Sequence, residues 1–238
     1  MVREGLAQSL RELEEEVLRL AAAVGGAIRQ AVESLKAQDL ELARRVVLGD
    51  EEINRQRFAL EERCLALLAT QQPMASDLRL ITAIMHIVTD LERMGDHAAG
   101  LARITLLIGR APLIKPLLDI PRMTDIALGM LEEALAALRR RDAQAAQTVA
   151  LRDDEVDALH DQIHRELFLL MIQDPRHITQ ATYLMWASHN LERIADLVTN
   201  ICERVIFVAT GRLAELNVTG AALAEDLPGP YHGDREDP

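Results

Sequence analysis

Leu91-Glu92-Arg93-Met94-Gly95-Asp96 returns one hundred residues later as Leu191-Glu192-Arg193-Ile194-Ala195-Asp196 in a chain of 238 residues. A charged hexapeptide repeated at that distance points to a duplicated domain, and a repeat changes how every other segment is read. Each copy also sets two acids four residues apart.

The repeat extends outward from this seed. Residues 39–54 align without a gap on 142–157, matching Asp39 with Asp142, Ala43 with Ala146, Val46 with Val149, Asp50 with Asp153 and Glu52 with Glu155. Downstream, Gln71-Gln72-Pro73 matches Gln173-Asp174-Pro175, and Met85 matches Met185. Small drifts in the offset belong at helix joints, where length changes are tolerated.

Each copy reads as three helices. The first copy has them at about 5–36, 40–69 and 76–108, the second at about 123–140, 143–172 and 179–210, with Pro73 and Pro175 as breaks. Alternating β-branched runs with hairpin turns are absent. The expected fold is all-α: two tandem antiparallel three-helix bundles related by pseudo-twofold symmetry. Residues 1–110 form the first repeat and 122–213 the second. A Pro-containing linker occupies 111–121, and 214–238 is expected to be a disordered tail, rich in Pro, Gly and acids.

Composition narrows the function classes. Hydrophobic residues make up 49% and charged residues 27%, which is globular, and aromatics are only 3%. A net charge of -12 argues against nucleic-acid binding, which needs a Lys/Arg excess, and against adhesion to anionic membranes. Cationic partners or metal cations suit it better. Cys64 and Cys202 form no CxxC, fit a reducing cytosol and read as buried small residues. Met1-Val2-Arg3-Glu4 leads into charged sequence, so no signal peptide is expected. No transmembrane segment is expected either, because every long uncharged stretch contains polar residues.

At 100° per residue, Glu92 and Asp96 lie about 40° apart on one helix face. Ile81, Ile84, Val88, Leu91, Gly95, Ala98 and Ala102 form an apolar arc, and the two acids fall just past its edge. Glu192 and Asp196 flank the matching arc of Leu184, Leu191, Ala195, Val198 and Cys202. A second pair, Asp153 and Asp157, has Asp50 and Asn54 as counterparts. If the second and third helices of each bundle are antiparallel neighbours, Asp50/Asn54 face Glu92/Asp96 and Asp153/Asp157 face Glu192/Asp196. Two such i, i+4 pairs make an oxygen cradle for a cation. Without one, the acids raise each other's pKa. A solvated face or salt-bridged surface remains the alternative.

Other signals are weaker. His160 and His164 have zinc-binding spacing, but their counterparts are Arg57 and Glu61, so the pair stands outside the duplicated feature. His97 and His189 adjoin the acid motifs as candidate extra ligands. Trp186 reads either as a partner contact or as a partly buried residue. No Glu-x-x-His, P-loop or nucleophile elbow occurs.

The tandem repeat, the segments Asp50-Glu51-Glu52-Ile53-Asn54 and Asp153-Asp154-Glu155-Val156-Asp157, the paired Glu-x-x-x-Asp motifs and Asp77-Leu78-Arg79 after the Pro turn resemble the PhoU family over about residues 5–213. The resemblance implies two three-helix bundles, with multinuclear iron or zinc clusters in some members. It implies a cytoplasmic, non-catalytic negative regulator of phosphate uptake and phosphate-starvation signalling. Such a protein is an adaptor between the ATPase of a phosphate ABC transporter and a sensor histidine kinase, and forms homo-oligomers, homodimers among them. Carried over by position, Glu92, Asp96, Glu192 and Asp196 match the core metal motif, and Asp153, Asp157 and Asp50 match its companion. Asn54 replaces the expected acid. Its neutral amide oxygen is a weaker ligand, so weaker metal binding is expected in the first repeat. A metal-dependent enzyme using the same carboxylates to activate water, and a metal-free helical scaffold, are the competing readings.

Overall fold

The computed structural model describes residues 2–213, 215 and 216. Its elements are α1 (Val2–Ala37), α2 (Leu40–Gln71), α3 (Ser76–Ile108), α4 (Asp119–Arg140), α5 (Ala143–Ala150), α6 (Asp153–Gln173), a 3-10 turn at Pro175–His177, and α7 (Ile178–Thr210). No strand occurs among the described residues. The expected tail at 214–238 lies outside them except for Glu215 and Leu216.

Helix α1 shows how the sequence builds this core. Leu13, Val17, Leu20, Val24, Ile28, Ala31 and Leu35 recur at three- and four-residue steps and are all fully buried, a single stripe of the helical period. The repeat also duplicates the helix starts. Asp39 accepts hydrogen bonds from the backbone N–H groups of Glu41 and Leu42, both at 3.0 Å, and Asp142 accepts from that of Ala145 at 3.0 Å. Each satisfies first-turn donors of the following helix.

Helices α3 and α7, the third helices of the two copies, lie at the centre and make the largest helix–helix contact. His97 and Gly100 sit against Asn190, Asp90 bonds Asn200, and His86 feels Arg204, so the two helices run antiparallel. That register sets the two hexapeptides level with each other, as a pseudo-twofold relation between the copies requires. Helix α2 packs on α3, and α6 on α7. Helices α1 and α4 meet on another side, tied by Glu14–Arg141 at 2.7 Å and Arg29–Glu132 at 3.2 Å.

The second copy departs from expectation in two places. The helix expected over 143–172 is divided at Leu151-Arg152. There the bonds tighten to i−3, Arg152 N–H to Val149 O at 3.0 Å and Glu155 N–H to Arg152 O at 3.1 Å. The Arg152 guanidinium reaches Glu133 on α4 at 2.7 Å and lies against Gly129. Gly49 holds the equivalent place in the first copy, and α2 runs through it unbroken. The linker expected over 111–121 ends at Leu118. Pro121 is the third residue of α4, where its missing N–H leaves no helical bond unmade. The linker is fastened down: Gln180 accepts from Ile114 N–H at 2.6 Å and donates to Pro112 O at 3.0 Å, and Gln38 donates to Ala111 O at 2.6 Å.

Candidate functional site

In the first repeat, Asp50 on α2 and Glu92 and Asp96 on α3 come together where the two helices approach closely. A Cβ on Gly95 would lie 3.1 and 3.2 Å from Ile53 carbons and 3.4 Å from Asp50 Oδ1. Burial pushes the Asp50 carboxyl up first, then the charge of Asp96, with Arg103 opposing. The two carboxyls are within reach of sharing a proton. Glu92 is raised by burial, then by Asp96, with Arg57 opposing and Asp50 adding. Asp50 Oδ1 is buried without a hydrogen-bond donor. Asn54 turns its amide back on its own helix, donating to Asp50 O at 3.4 Å.

The second repeat gathers more charge. Asp153, in the first turn of α6, is 7% exposed, and its carboxyl is pushed up to about 7. Burial is the main cause, followed by Asp196, Asp157, Glu192 and Asp154. The helix-start dipole favours the ionised form, yet burial among four neighbouring acids overrides it. Asp157 is raised by burial and then Asp196, and Glu192 by burial and then Asp196. Asp196 accepts from the Arg193 guanidinium at 2.6 Å. Asp153 Oδ1 is buried and makes no hydrogen bond, and buried Glu192 Oε2 has only the His189 ring nitrogen near it, at 3.3 Å.

All the expected carboxylates therefore fall into two like-charged groups at the α2–α3 and α6–α7 seams. Orphaned oxygens in a polyacidic seam suit a hard or borderline cation. As the side chains stand, no three His, Cys, Asp or Glu among the described residues converge enough to hold one. Binding an ion requires the carboxylates to swing inward. The two repeats also differ in their counter-charges. Arg57 and Arg103 offset the first group, whereas His160 and Glu203 stand at the equivalent positions of the second.

The remaining candidates sort out by contact. His97, a candidate extra ligand, directs Nδ1 to Asn190 on α7 at 2.9 Å. His189 lies 3.3 Å from Glu192 Oε2, beside the rings of α6. Trp186 is half exposed and tilted on Tyr183 with ring centroids 5.7 Å apart. Cys64 and Cys202 are fully buried, and burial pushes both thiols up to about 12, so neither is a nucleophile at neutral pH. The sequence reading missed Arg57 and Arg103 as counter-charges. Arg57 is already aligned with His160 in the repeat and Arg103 is the counterpart of Glu203, so the charge difference between the copies at these two positions was the available signal.

The family model "PhoU domain" matches twice, at residues 17–105 and 120–205. The phosphate-specific transport system accessory protein PhoU homolog of Aquifex aeolicus is 37% identical over 210 residues, covering 88% of this chain and 95% of the relative. The homolog of Streptococcus pneumoniae serotype 4 is 36% identical over 208 residues, covering 87% and 96%. Among solved structures, the phosphate transport system regulatory protein PhoU from Streptococcus pneumoniae superposes with a TM-score of 0.82 at 33% identity, covering 89% of this chain and all of that one. PhoU from Pseudomonas aeruginosa gives 0.82 at 35% identity, covering 87% and 99%. With both halves matched and relatives aligned along nearly their whole length, the chain belongs to the PhoU family.

Proposed function

We propose that this chain is a non-catalytic accessory protein of a phosphate transport system, restraining phosphate uptake when phosphate is plentiful. In this reading it acts at the cytoplasmic face, as a homo-oligomer, and couples the transporter's ATPase to a sensor histidine kinase. Iron or zinc held by Asp50, Glu92 and Asp96, with Asn54 beside them, and by Asp153, Asp157, Glu192 and Asp196, neutralises the two seams. The observation that carries the regulatory role is the match of both repeats to relatives named as accessory proteins of phosphate-specific transport. The orphaned Asp50 and Asp153 oxygens support the metal sites. Among the described residues no helix is long and apolar enough to cross a membrane, which agrees with action from one side of it.

The test is phosphate uptake by cells lacking this protein, grown with ample phosphate. Uptake should rise and fall back when the full chain is restored. Unchanged uptake sinks the regulatory reading. Cross-linking in phosphate-replete cells should capture the transporter ATPase on the full chain, and elemental analysis of untagged protein, purified without chelator, reads the metals.

A further inference from the structure

Helices α6 and α7 assemble three histidines that the sequence divides into a pair and a distant single. The His160 and His164 ring centroids are 4.0 Å apart. His189 on α7 brings its ring centroid to 6.2 Å from that of His160. His160 Nδ1 and His164 Nε2 are buried and bond to nothing. The His160 ring is also within hydrogen-bonding reach of the Ser188 backbone. A bond from its other nitrogen to that carbonyl leaves the Nδ1 lone pair free, the usual arrangement behind a metal-bound imidazole.

The first repeat shows this place without histidines. Arg57, Glu61 and Thr89 are the equivalents. Arg57 Nε lies 3.2 Å from Glu61 Oε1, and the Thr89 hydroxyl donates to the same oxygen at 3.3 Å. That layer holds an ion pair and a hydroxyl–carboxylate hydrogen bond where the second repeat has imidazoles, although Arg57 Nε itself makes no hydrogen bond. In the second repeat two buried imidazole nitrogens, His160 Nδ1 and His164 Nε2, are left without a partner. Burial, together with the neighbouring His164 and His189, holds the His160 pKa below its ordinary value.

We propose that His160, His164 and His189 form a binding site for a borderline transition-metal cation of the zinc, nickel or cobalt class, next to the second carboxylate group but built from different donors. Imidazole suits these ions, whereas carboxylate groups also accept harder ones. Two imidazoles on one tetrahedral ion, with metal–nitrogen bonds near 2.0–2.1 Å, hold their ring centroids about 5 Å apart. The separations of 4.0 and 6.2 Å bracket that value. The three rings do not converge as they stand among the described residues, so binding the ion requires their side chains to rotate. The site stands whether or not the carboxylate groups bind metal.

The test uses untagged full-length protein and Co2+ as a visible probe. One equivalent should give the intense absorption of a tetrahedral nitrogen-bearing site. The band should vanish in His160→Gln/His164→Gln and persist in Asp153→Asn/Asp196→Asn. Zinc affinity at this site should fall by at least about tenfold in the histidine variant. Absence of the band in wild type, its survival in the histidine variant, or its loss in the carboxylate variant overturns the proposal. A readout on wild type guards against a variant that fails to fold. With 15N-labelled histidine, the first equivalent of Zn2+ should shift the ring signals of His160, His164 and His189 together. Any other set among the seven histidines overturns it.

Discussion

His97 Nδ1 and Asn190 Oδ1 lie 2.9 Å apart across the antiparallel seam of α3 and α7. The same Oδ1 stands only 2.8 Å from where a Cβ on Gly100 would be. The Asn190 amide also donates to Trp186 O at 2.7 Å, which fixes its orientation. Glycine at 100 is what leaves room for this contact between the two central helices. Gly100→Ala gains about 1 kcal/mol of helix propensity but pushes Asn190 away from His97. In wild type it should leave the melting temperature flat or lower. In an Asn190→Ala background, where the space is free, it should raise melting by about 2–4 °C. An equal rise in both backgrounds would show that the contact is not tight.

Gly95 and Ile53 form a matched pair whose counterparts are Ala195 and Val156, both fully buried. The second repeat adds a methyl on one helix and removes one from the other. Gly95→Ala alone forces Ile53 aside from 3.1 Å and should cost about 1 kcal/mol or more. Combined with Ile53→Val it should come close to neutral, although Ile→Val alone typically costs about 0.5–1.5 kcal/mol. Urea midpoints of the four proteins check this. Strictly additive effects would mean that the two side chains do not share one volume.

How far the sequence could be read depended on which features were duplicated. The hexapeptide set the bundle count. Asp39 and Asp142, aligned only as matching letters, turned out to be matching helix caps. The break at Leu151-Arg152 had no such mark, since neither Pro nor Gly occurs there and the cause is Arg152 reaching Glu133 on another helix. The carboxylate groups were legible because i, i+4 spacing on neighbouring helices fixes which faces meet. The histidine group was not, because joining His189 to His160 and His164 needs the α6–α7 register. Reading Arg57, Glu61 and Thr89 as one layer of the first repeat would have pointed to it.

The buried acids give stability a pH dependence of unusual sign. Asp153 is pushed up to about 7 and Asp90, buried between α3 and α7, to about 6, both mainly by burial. Both exceed the unfolded value of about 3.9, so the native state holds extra protons. Their contribution is complete at low pH and is lost as pH rises through 6 to 7. His86, His97 and His160 are lowered by burial and act oppositely, and because unfolded histidine is still half protonated at about 6.5 their gain continues above it and offsets much of the acids' loss. The Asp153 contribution therefore shows in the difference between two proteins: from pH 6.5 to 8, metal-free wild type should lose about 1 kcal/mol relative to Asp153→Asn, roughly 2–4 °C in melting temperature. A melting-temperature difference between the two that stays constant across this window contradicts the assignment.

Given the proposed iron or zinc binding, the two carboxylate groups should take up metal in a fixed order. Cation affinity at oxygen sites follows ligand charge. The first group offers Asp50, Glu92 and Asp96, and the Asn54 amide is engaged with its own backbone. Arg57 and Arg103 already offset part of that charge. The second group offers Asp153, Asp157, Glu192 and Asp196, with His160 and Glu203 where the first has arginines. At an effective dielectric near 20, one nearby unit charge changes affinity by on the order of tenfold or more. The second repeat should fill first when iron is limiting, with anomalous scattering at the α6–α7 seam well above that at α2–α3. Asn54→Asp with Arg57→Ala should bring the two occupancies together. Stronger scattering beside Glu92 and Asp96 in the unmodified protein would mean that ligand charge does not set the order, and that groups from a second copy complete the first site.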